Sequence, residues 1–216
     1  MMNHRVQNVL GIEHKEKSVK VSFDEAEKSK ALEFGYEYWD DPDYPGYAGY
    51  VYDGRWKPAA RRLVSFFDMR DGDTVLDAGC GKGFLLFDIK SHNPKIATFG
   101  IDASGYALSH AHPSVQSDII RGSIAALPFE DKAFDVVYSV DVVYTMSVDE
   151  CADAMREIER VGKRAFVQVE SYRNEQERDN LITWDCTART VMSTDEWARF
   201  FSDIGYSGYY YWRVFL

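Results

Sequence analysis

The nine residues Val75-Leu76-Asp77-Ala78-Gly79-Cys80-Gly81-Lys82-Gly83 constrain the fold more than any other stretch of the chain. An apolar run breaks on an acid, three alternate glycines follow, and Phe84-Leu85-Leu86 opens a helical pattern. That is a strand, a tight turn and a helix. Glycine at alternate positions permits the turn and lets a ligand lie against bare backbone. Three kinds of ligand loop compete for this pattern. A phosphate-cradling loop needs GxxxxGK followed by Ser or Thr, and here Lys82 is followed by Gly83. A dinucleotide fingerprint, GxGxxG, is met at Gly79 and Gly81 and missed at Phe84. The third form has an acid ahead of the glycines, as DxGxGxG. It suits a ligand with a cationic amino group and no pyrophosphate. The plain alternative is that Asp77 only caps the next helix.

The strand–turn–helix pattern repeats around this loop. Apolar runs at 74–76, 96–101, 119–122, 134–140, 165–169 and 209–215 read as strands, and 185–192 is a weaker candidate. The fourth run is continuous and β-branched, as a strand buried on both faces should be. Helices are expected at 23–33, 58–69, 83–91 and 106–110, and after the boxes Ser147-Val148-Asp149-Glu150 and Ser193-Thr194-Asp195-Glu196. Ser22-Phe23-Asp24-Glu25 has the same capping spacing. Residues 1–21 are polar and mixed, and read as loosely held. Strands alternating with helices mean an α/β domain with a mainly parallel sheet.

Composition narrows the function. Hydrophobic residues make up 45% of the 216 and charged residues 28%, enough for a full core. Lys plus Arg number 25 against 35 Asp plus Glu, a net charge of -10, which argues against a nucleic-acid partner. No apolar run reaches the roughly 18 residues of a membrane span, and the first residues do not form a signal peptide. Cys80, Cys151 and Cys186 are odd in number and far apart, which fits a reducing cytoplasm. His110 and His112 flank one residue before Pro113 and would diverge, so no metal site is expected.

With the glycine loop as its motif I, the chain resembles the class I S-adenosylmethionine-dependent methyltransferases over about residues 57–170. It is closest in pattern to the small-molecule members of the methyltransferase domain 11 and 25 type. The resemblance implies a Rossmann-like three-layer sandwich, with helices on both faces of a mainly parallel seven-stranded sheet that has one antiparallel strand. It implies S-adenosyl-L-methionine as cofactor. Gly79, Cys80, Gly81 and Gly83 would lie under its methionine half, with Asp77 near the amino group and Ser139 close by. Asp102, twenty-five residues after Asp77, with Ala103 beside it, would take the ribose hydroxyls. The loop Gly122-Ser123-Ile124-Ala125-Ala126-Leu127-Pro128-Phe129 matches the family's adenine loop but lacks its usual acid, leaving Ser123 and the amides of Ile124 and Ala125. Asp141 and Tyr144, after the fourth strand, are the candidate catalytic groups. An unperturbed tyrosine titrates near pH 10 and is a poor base at neutral pH. Asp141 as a turn cap is the alternative.

Residues 34–56 carry nine aromatics among Gly, Pro and Asp. With the preceding residues they form an N-terminal extension, 1–56, ahead of the methyltransferase domain, 57–216. This stretch is expected to be a lid over the acceptor, or else a structural wrap. Tyr38, Tyr47, Tyr50 and Trp56 from the lid, with Glu170 and Tyr172 after the fifth strand, are the candidate substrate contacts. Arg55 is expected to pair with the cofactor's carboxylate or an acidic substrate. The expected function is methyl transfer to oxygen or nitrogen of a small polar metabolite, sugar-linked ones included. Neither nucleic acid nor membrane is an expected partner, and a homo-oligomer is left open. The alternative is a module that binds the cofactor without turnover and acts with a partner protein.

Overall fold

Five apolar runs and one aromatic run become six strands in the computed structural model, which describes residues 5–11, 23–44 and 46–215. They are β1 (Thr74–Ala78), β2 (Ala97–Asp102), β3 (Ile119–Arg121), β4 (Val136–Val140), β5 (Ala165–Ser171) and β6 (Tyr209–Val214). The order across the sheet is β3-β2-β1-β4-β5-β6, and every pair is parallel. The chain steps outward from β1 to β2 and β3, then returns to β4 on β1's other side. A crevice opens beyond the strand ends at such a reversal.

Among the described residues eight α-helices accompany them: α1 (Glu25–Ala31), α2 (Tyr36–Trp39), α3 (Lys57–Phe66), α4 (Phe84–His92), α5 (Gly105–Ser109), α6 (Val148–Val161), α7 (Glu175–Trp184) and α8 (Thr194–Asp203). The capping boxes of α6 and α8 form as their spacing predicts. That of α1 is closed by Asp24 and Glu27, two residues later than predicted; Ser22 lies outside the described residues. Helices of α6 and α8 cover one face of the sheet, where Leu76, Val137, Met155, Ile158, Trp197 and Phe201 are buried together. On the other face α3 and α4 enclose Leu63, Val75, Leu86, Ile89, Tyr138 and Phe166.

The sheet corrects the expectation of seven strands with one antiparallel: among the described residues it has six, all parallel. The weaker candidate, 185–192, is not a strand. The amides of Arg189 and Thr190 both donate to the Tyr144 carbonyl, and the Thr190 hydroxyl donates to the Met146 carbonyl. Its donors are thus committed to the loop after β4 and cannot serve a ladder. The crossover from β5 through α7 and α8 brings β6 back parallel, paired from Phe166↔Tyr209 to Ser171↔Val214. Helix α7, capped by Asn174, occupies a stretch where no element was expected.

Residues 5–11 also depart from the expectation of a loose start. Val6 bridges Tyr210, the Gln7 amide donates to the Tyr210 carbonyl, and the Tyr210 amide donates to the Arg5 carbonyl. Val9 and Leu10 are then buried in the α3–α4 face of the core. Among the described residues, no helix is long and apolar enough to cross a membrane.

Candidate active site

A cleft of about 300 Å³ lies beyond the ends of β1, β2 and β4, under residues 34–56. Its floor is the glycine turn. Gly79, Gly81 and Gly83 have φ of 93°, 53° and 69°, in the left-handed region that other residues enter at a cost. Close approach matters as much as conformation. A Cβ on Gly79 would fall 2.4 Å from Val142, and one on Gly81 would fall 2.8 Å from the Trp39 ring. The glycines therefore let the loop after β4 and the aromatic segment close down on the turn.

Asp77 is buried at the base of the cleft, and its Oδ2 accepts from the Tyr138 hydroxyl at 3.0 Å. Burial, opposed by that hydrogen bond and helped by Asp102, pushes its carboxyl up to about 8. A cationic group placed beside it would restore the charged form. Asp102 is also pushed up by burial, while the amides of Ser104 and Gly81, each donating at 2.7 Å, work against the shift. Its carboxylate thus ties the glycine turn to the end of β2. Ala103, Gly122, Ser123 and Ile124 complete that end of the cleft.

The aromatic segment forms the roof. Trp39 and Tyr47 stack with ring centroids 5.2 Å apart and planes 2° apart, Tyr47 leans on Tyr50, and Tyr50 on Phe84. The Trp56 indole donates to the Tyr50 hydroxyl at 2.7 Å. Lys82 fastens this roof to the glycine turn. Its ammonium donates to Asp40 at 2.6 and 2.7 Å and to the Tyr50 carbonyl at 2.9 Å, and the Tyr106 hydroxyl donates to Asp40 at 2.8 Å. Burial opposes ionisation of Asp40, yet Lys82 and Tyr106 hold its carboxyl below the usual range.

Asp141 follows β4 with a φ of 58°, a left-handed conformation that costs a non-glycine residue of order 1–3 kcal/mol. Its amide donates to the Gln168 carbonyl, its Oδ1 accepts from the Gln168 amide at 3.1 Å, and Arg213 stands 3.1 Å from its Oδ2. Burial raises its carboxyl; Arg213 and Gln168 oppose the rise.

Of the residues singled out in the sequence, the cleft brings together Asp77, Gly79, Cys80, Gly81, Asp102, Ala103, Ser123, Ile124, Asp141, Tyr38, Tyr47, Tyr50 and Trp56. The others lie off its wall. Gly83 caps α4. The Ser139 hydroxyl is fully buried and donates to the Ala78 carbonyl. Ala125 donates its amide to Ser123. Arg55 folds onto Asp53, with 2.9 Å contacts on an exposed turn. Tyr144 is buried in the core, and burial carries its hydroxyl further from titration. Glu170 is buried beside Arg213, and Tyr172 donates to Glu196 at the surface. His110 and His112 stack on different rings, Tyr106 and Phe87. Lys82, Asp40, Gln168 and Arg213 carried no motif. Lys82 stood in plain view inside the glycine loop; the other three become informative only once the chain is folded.

Residues 76–165 match a family model described as a methyltransferase domain. The chain is 35% identical over 89 residues to a tRNA U34 carboxymethyltransferase of Pseudoalteromonas translucida, covering 38% of this chain and 27% of that one. It is 33% identical over 103 residues to a malonyl-[acyl-carrier protein] O-methyltransferase of Erwinia billingiae, covering 46% and 38%. The chain therefore spans well under half the length of these relatives. The YcgJ protein of Bacillus subtilis shares the fold, with a TM-score of 0.56 and 22% identity over 67% of this chain and 66% of that one. Residues 76–165 are thus similar to methyltransferase domains, the chain shares the fold of the YcgJ protein, and the likeness implies S-adenosylmethionine as cofactor. The residues present fit that cofactor: Asp77, a buried acid with no cation beside it, would take an amino group, Asp102 a ribose, and the aromatic faces a sulfonium.

Proposed function

We propose that the chain transfers a methyl group from S-adenosylmethionine to a small polar acceptor that enters beneath residues 34–56. The observation that carries this is the joint wall of the cleft, which Asp77, Asp102, Asp141 and the tyrosines of the roof line together. The cofactor, when bound, supplies an electrophilic methyl on a sulfonium with a neutral leaving group. Asp77 would hold its amino group, Asp102 its ribose hydroxyls, and Ser123 with the backbone of Ile124 its adenine. The roof excludes water from the nucleophile's path, and alignment there supplies much of the acceleration.

A small acceptor is favoured because the aromatic roof covers the cleft, and because a net charge of -10 repels a polyanion. The relatives' names span tRNA and an acyl-carrier protein, so the acceptor does not follow from likeness. Cys80, Cys151 and Cys186 are buried and in no disulfide, which supports a reducing, cytoplasmic setting.

The test is hydrogen exchange in residues 34–56 with and without the demethylated cofactor product. Protection should rise on binding. Equal protection would make this segment a permanent wrap and move acceptor entry to the loops after β4 and β5.

A further inference from the structure

The cleft wall holds a cation that the cofactor contacts leave without a task. Among the described residues that line the cleft, Arg189 is the one cation, and it shares the wall with four carboxyl groups, Asp77, Asp102, Asp141 and Glu150. The cations nearby are engaged elsewhere: Lys82 with Asp40, Arg55 with Asp53, and Arg213 with Asp141 and Glu170.

Arg189 is fixed at its backbone and almost unpaired at its head. The amides of Arg189 and Thr190 donate to the Tyr144 carbonyl at 3.1 and 2.9 Å, and the buried Thr190 hydroxyl donates to the Met146 carbonyl at 2.7 Å. These bonds dock the residue on the loop after β4, whose Thr145 and Met146 line the same cleft. Tyr38 of the roof lies close to Asp185, Cys186 and Thr187, just upstream of it. Among the described residues the guanidinium has a single partner, Glu150 Oε2 at 3.5 Å. A charge-assisted contact of this kind is ordinarily about 2.7–2.9 Å long. Arg160 meets Glu157 at 2.7 Å, and Arg213 meets Glu170 at 2.6 Å. Glu150 is held back from closing the gap, because the same oxygen accepts from the Ser147 amide at 2.9 Å and hydroxyl at 2.6 Å in the capping box of α6. The Arg189 side chain is 48% exposed, so a ligand in solution reaches this part of the wall directly.

Resting on the methyl-transfer reading, we infer that Arg189 selects the acceptor and that the acceptor carries a carboxylate. A guanidinium presents two parallel N–H groups that match the two oxygens of a carboxylate, and this one has them to offer. A phosphate dianion fits less well, since Glu150 and Asp141 on the same wall repel each added negative charge. The cofactor's own carboxylate is the rival for this guanidinium. That group shares a carbon with the amino group that Asp77 would hold at the end of β1, whereas Arg189 is docked on the loop after β4. Leu32, Phe34 and Met146 also line the cleft and offer apolar surface to the rest of the acceptor.

Paired probes test the inference by calorimetric titration into the protein saturated with the demethylated cofactor product: phenylacetate with phenylacetamide, cinnamate with cinnamamide, and succinate with succinamide. Phenyl phosphate is the dianion control. At least one carboxylate should bind tenfold or more tightly than its amide, more tightly than phenyl phosphate, and less so as salt is raised. Arg189→Met should abolish that preference and leave the melting temperature and the Kd of the cofactor product unchanged. Arg189→Lys should restore part of it, keeping the charge without the fork. Glu150→Gln keeps a capping side chain and removes the competing charge, so carboxylates should bind severalfold more tightly. With labelled S-adenosylmethionine and a metabolite extract, the labelled product should derive from a carboxylic acid. No preference in the wild type, a preference that survives Arg189→Met, tighter binding of phenyl phosphate, or a labelled product from an acceptor without a carboxylate would each overturn the inference and leave the methyl-transfer reading standing. A tenfold loss of the cofactor product in Arg189→Met would give the residue to the cofactor and overturn it likewise. Failure of the wild type to bind the cofactor product would overturn both.

Discussion

Asp77 shows how one side chain links fold, ligand and pH. Its folded carboxyl titrates at about 8, against about 3.9 for an unfolded aspartate. Between those values the folded chain keeps a proton that the unfolded chain has released. The stability this group contributes is therefore full below about pH 4 and is lost as pH rises through 8. Relative to Asp77→Asn, the cofactor-free protein should lose melting temperature from pH 5 to pH 9, and the demethylated cofactor product should restore more of it at the higher pH. A parallel pH dependence in the two proteins would mean that Asp77 is not held protonated. Asp102 acts differently, because its oxygens already bind two loop amides. Asp102→Ala should remove two ribose hydrogen bonds, worth about 1.5–3 kcal/mol each before water compensates. Thermal-shift titration should show affinity for the cofactor product falling at least tenfold, with a smaller loss in the melting temperature of the free protein. The acid before the glycines and the acid ending the next strand were both legible in the sequence, because each follows from a local chain reversal. Asp141 was legible as a residue and not as a conformation: its positive φ and its pairing with Arg213 join positions 72 residues apart.

At the scale of elements, one ion pair ties the roof over the cleft to the glycine turn. Lys82 is 5% exposed at its side chain, and its removal leaves Asp40, which is 20% exposed, without its cation and with only the Tyr106 hydroxyl and the Tyr50 amide as donors. Lys82→Met should lower stability by about 1–3 kcal/mol. It should also raise hydrogen exchange in residues 34–56 well beyond that in β4 and β5. Uniform deprotection across the sheet would make Lys82 a core residue and not a fastening. Aromatic composition marked 34–56 as needing a dry surface, and the structure supplies one in the stacks from Trp39 to Phe84. The fastening itself was not legible, since Lys82 read only as the wrong residue for a phosphate loop. Pattern found β1 to β6 because each strand carries its own apolar or aromatic run. It failed at 185–192, where Arg189 and Thr190 satisfy their donors on the Tyr144 and Met146 carbonyls. It also missed α7, whose apolar stripe is reduced to Leu181 among its fully buried apolar positions.

Over the whole molecule, the all-parallel sheet is closed at the β6 edge by residues 5–11, which a polar composition gave no reason to expect. Leu10 is 1% exposed against the α3 side of the core. Leu10→Ala should cost about 2–5 kcal/mol, read as a lower denaturation midpoint with an unchanged slope. A cost near zero would make the segment an ornament on the sheet edge. The reversal between β1 and β4 explains why the acids, the glycine turn and the roof meet in one place although they span residues 38 to 141. That convergence is a claim about one ligand, and calorimetric titration of the wild-type chain with S-adenosylmethionine, its demethylated product and a reduced nicotinamide dinucleotide tests it most directly. The first two should bind one to a chain and compete with each other, with no heat from the dinucleotide. Absence of binding by both, or a dinucleotide that displaces them, would contradict the assignment of the cleft.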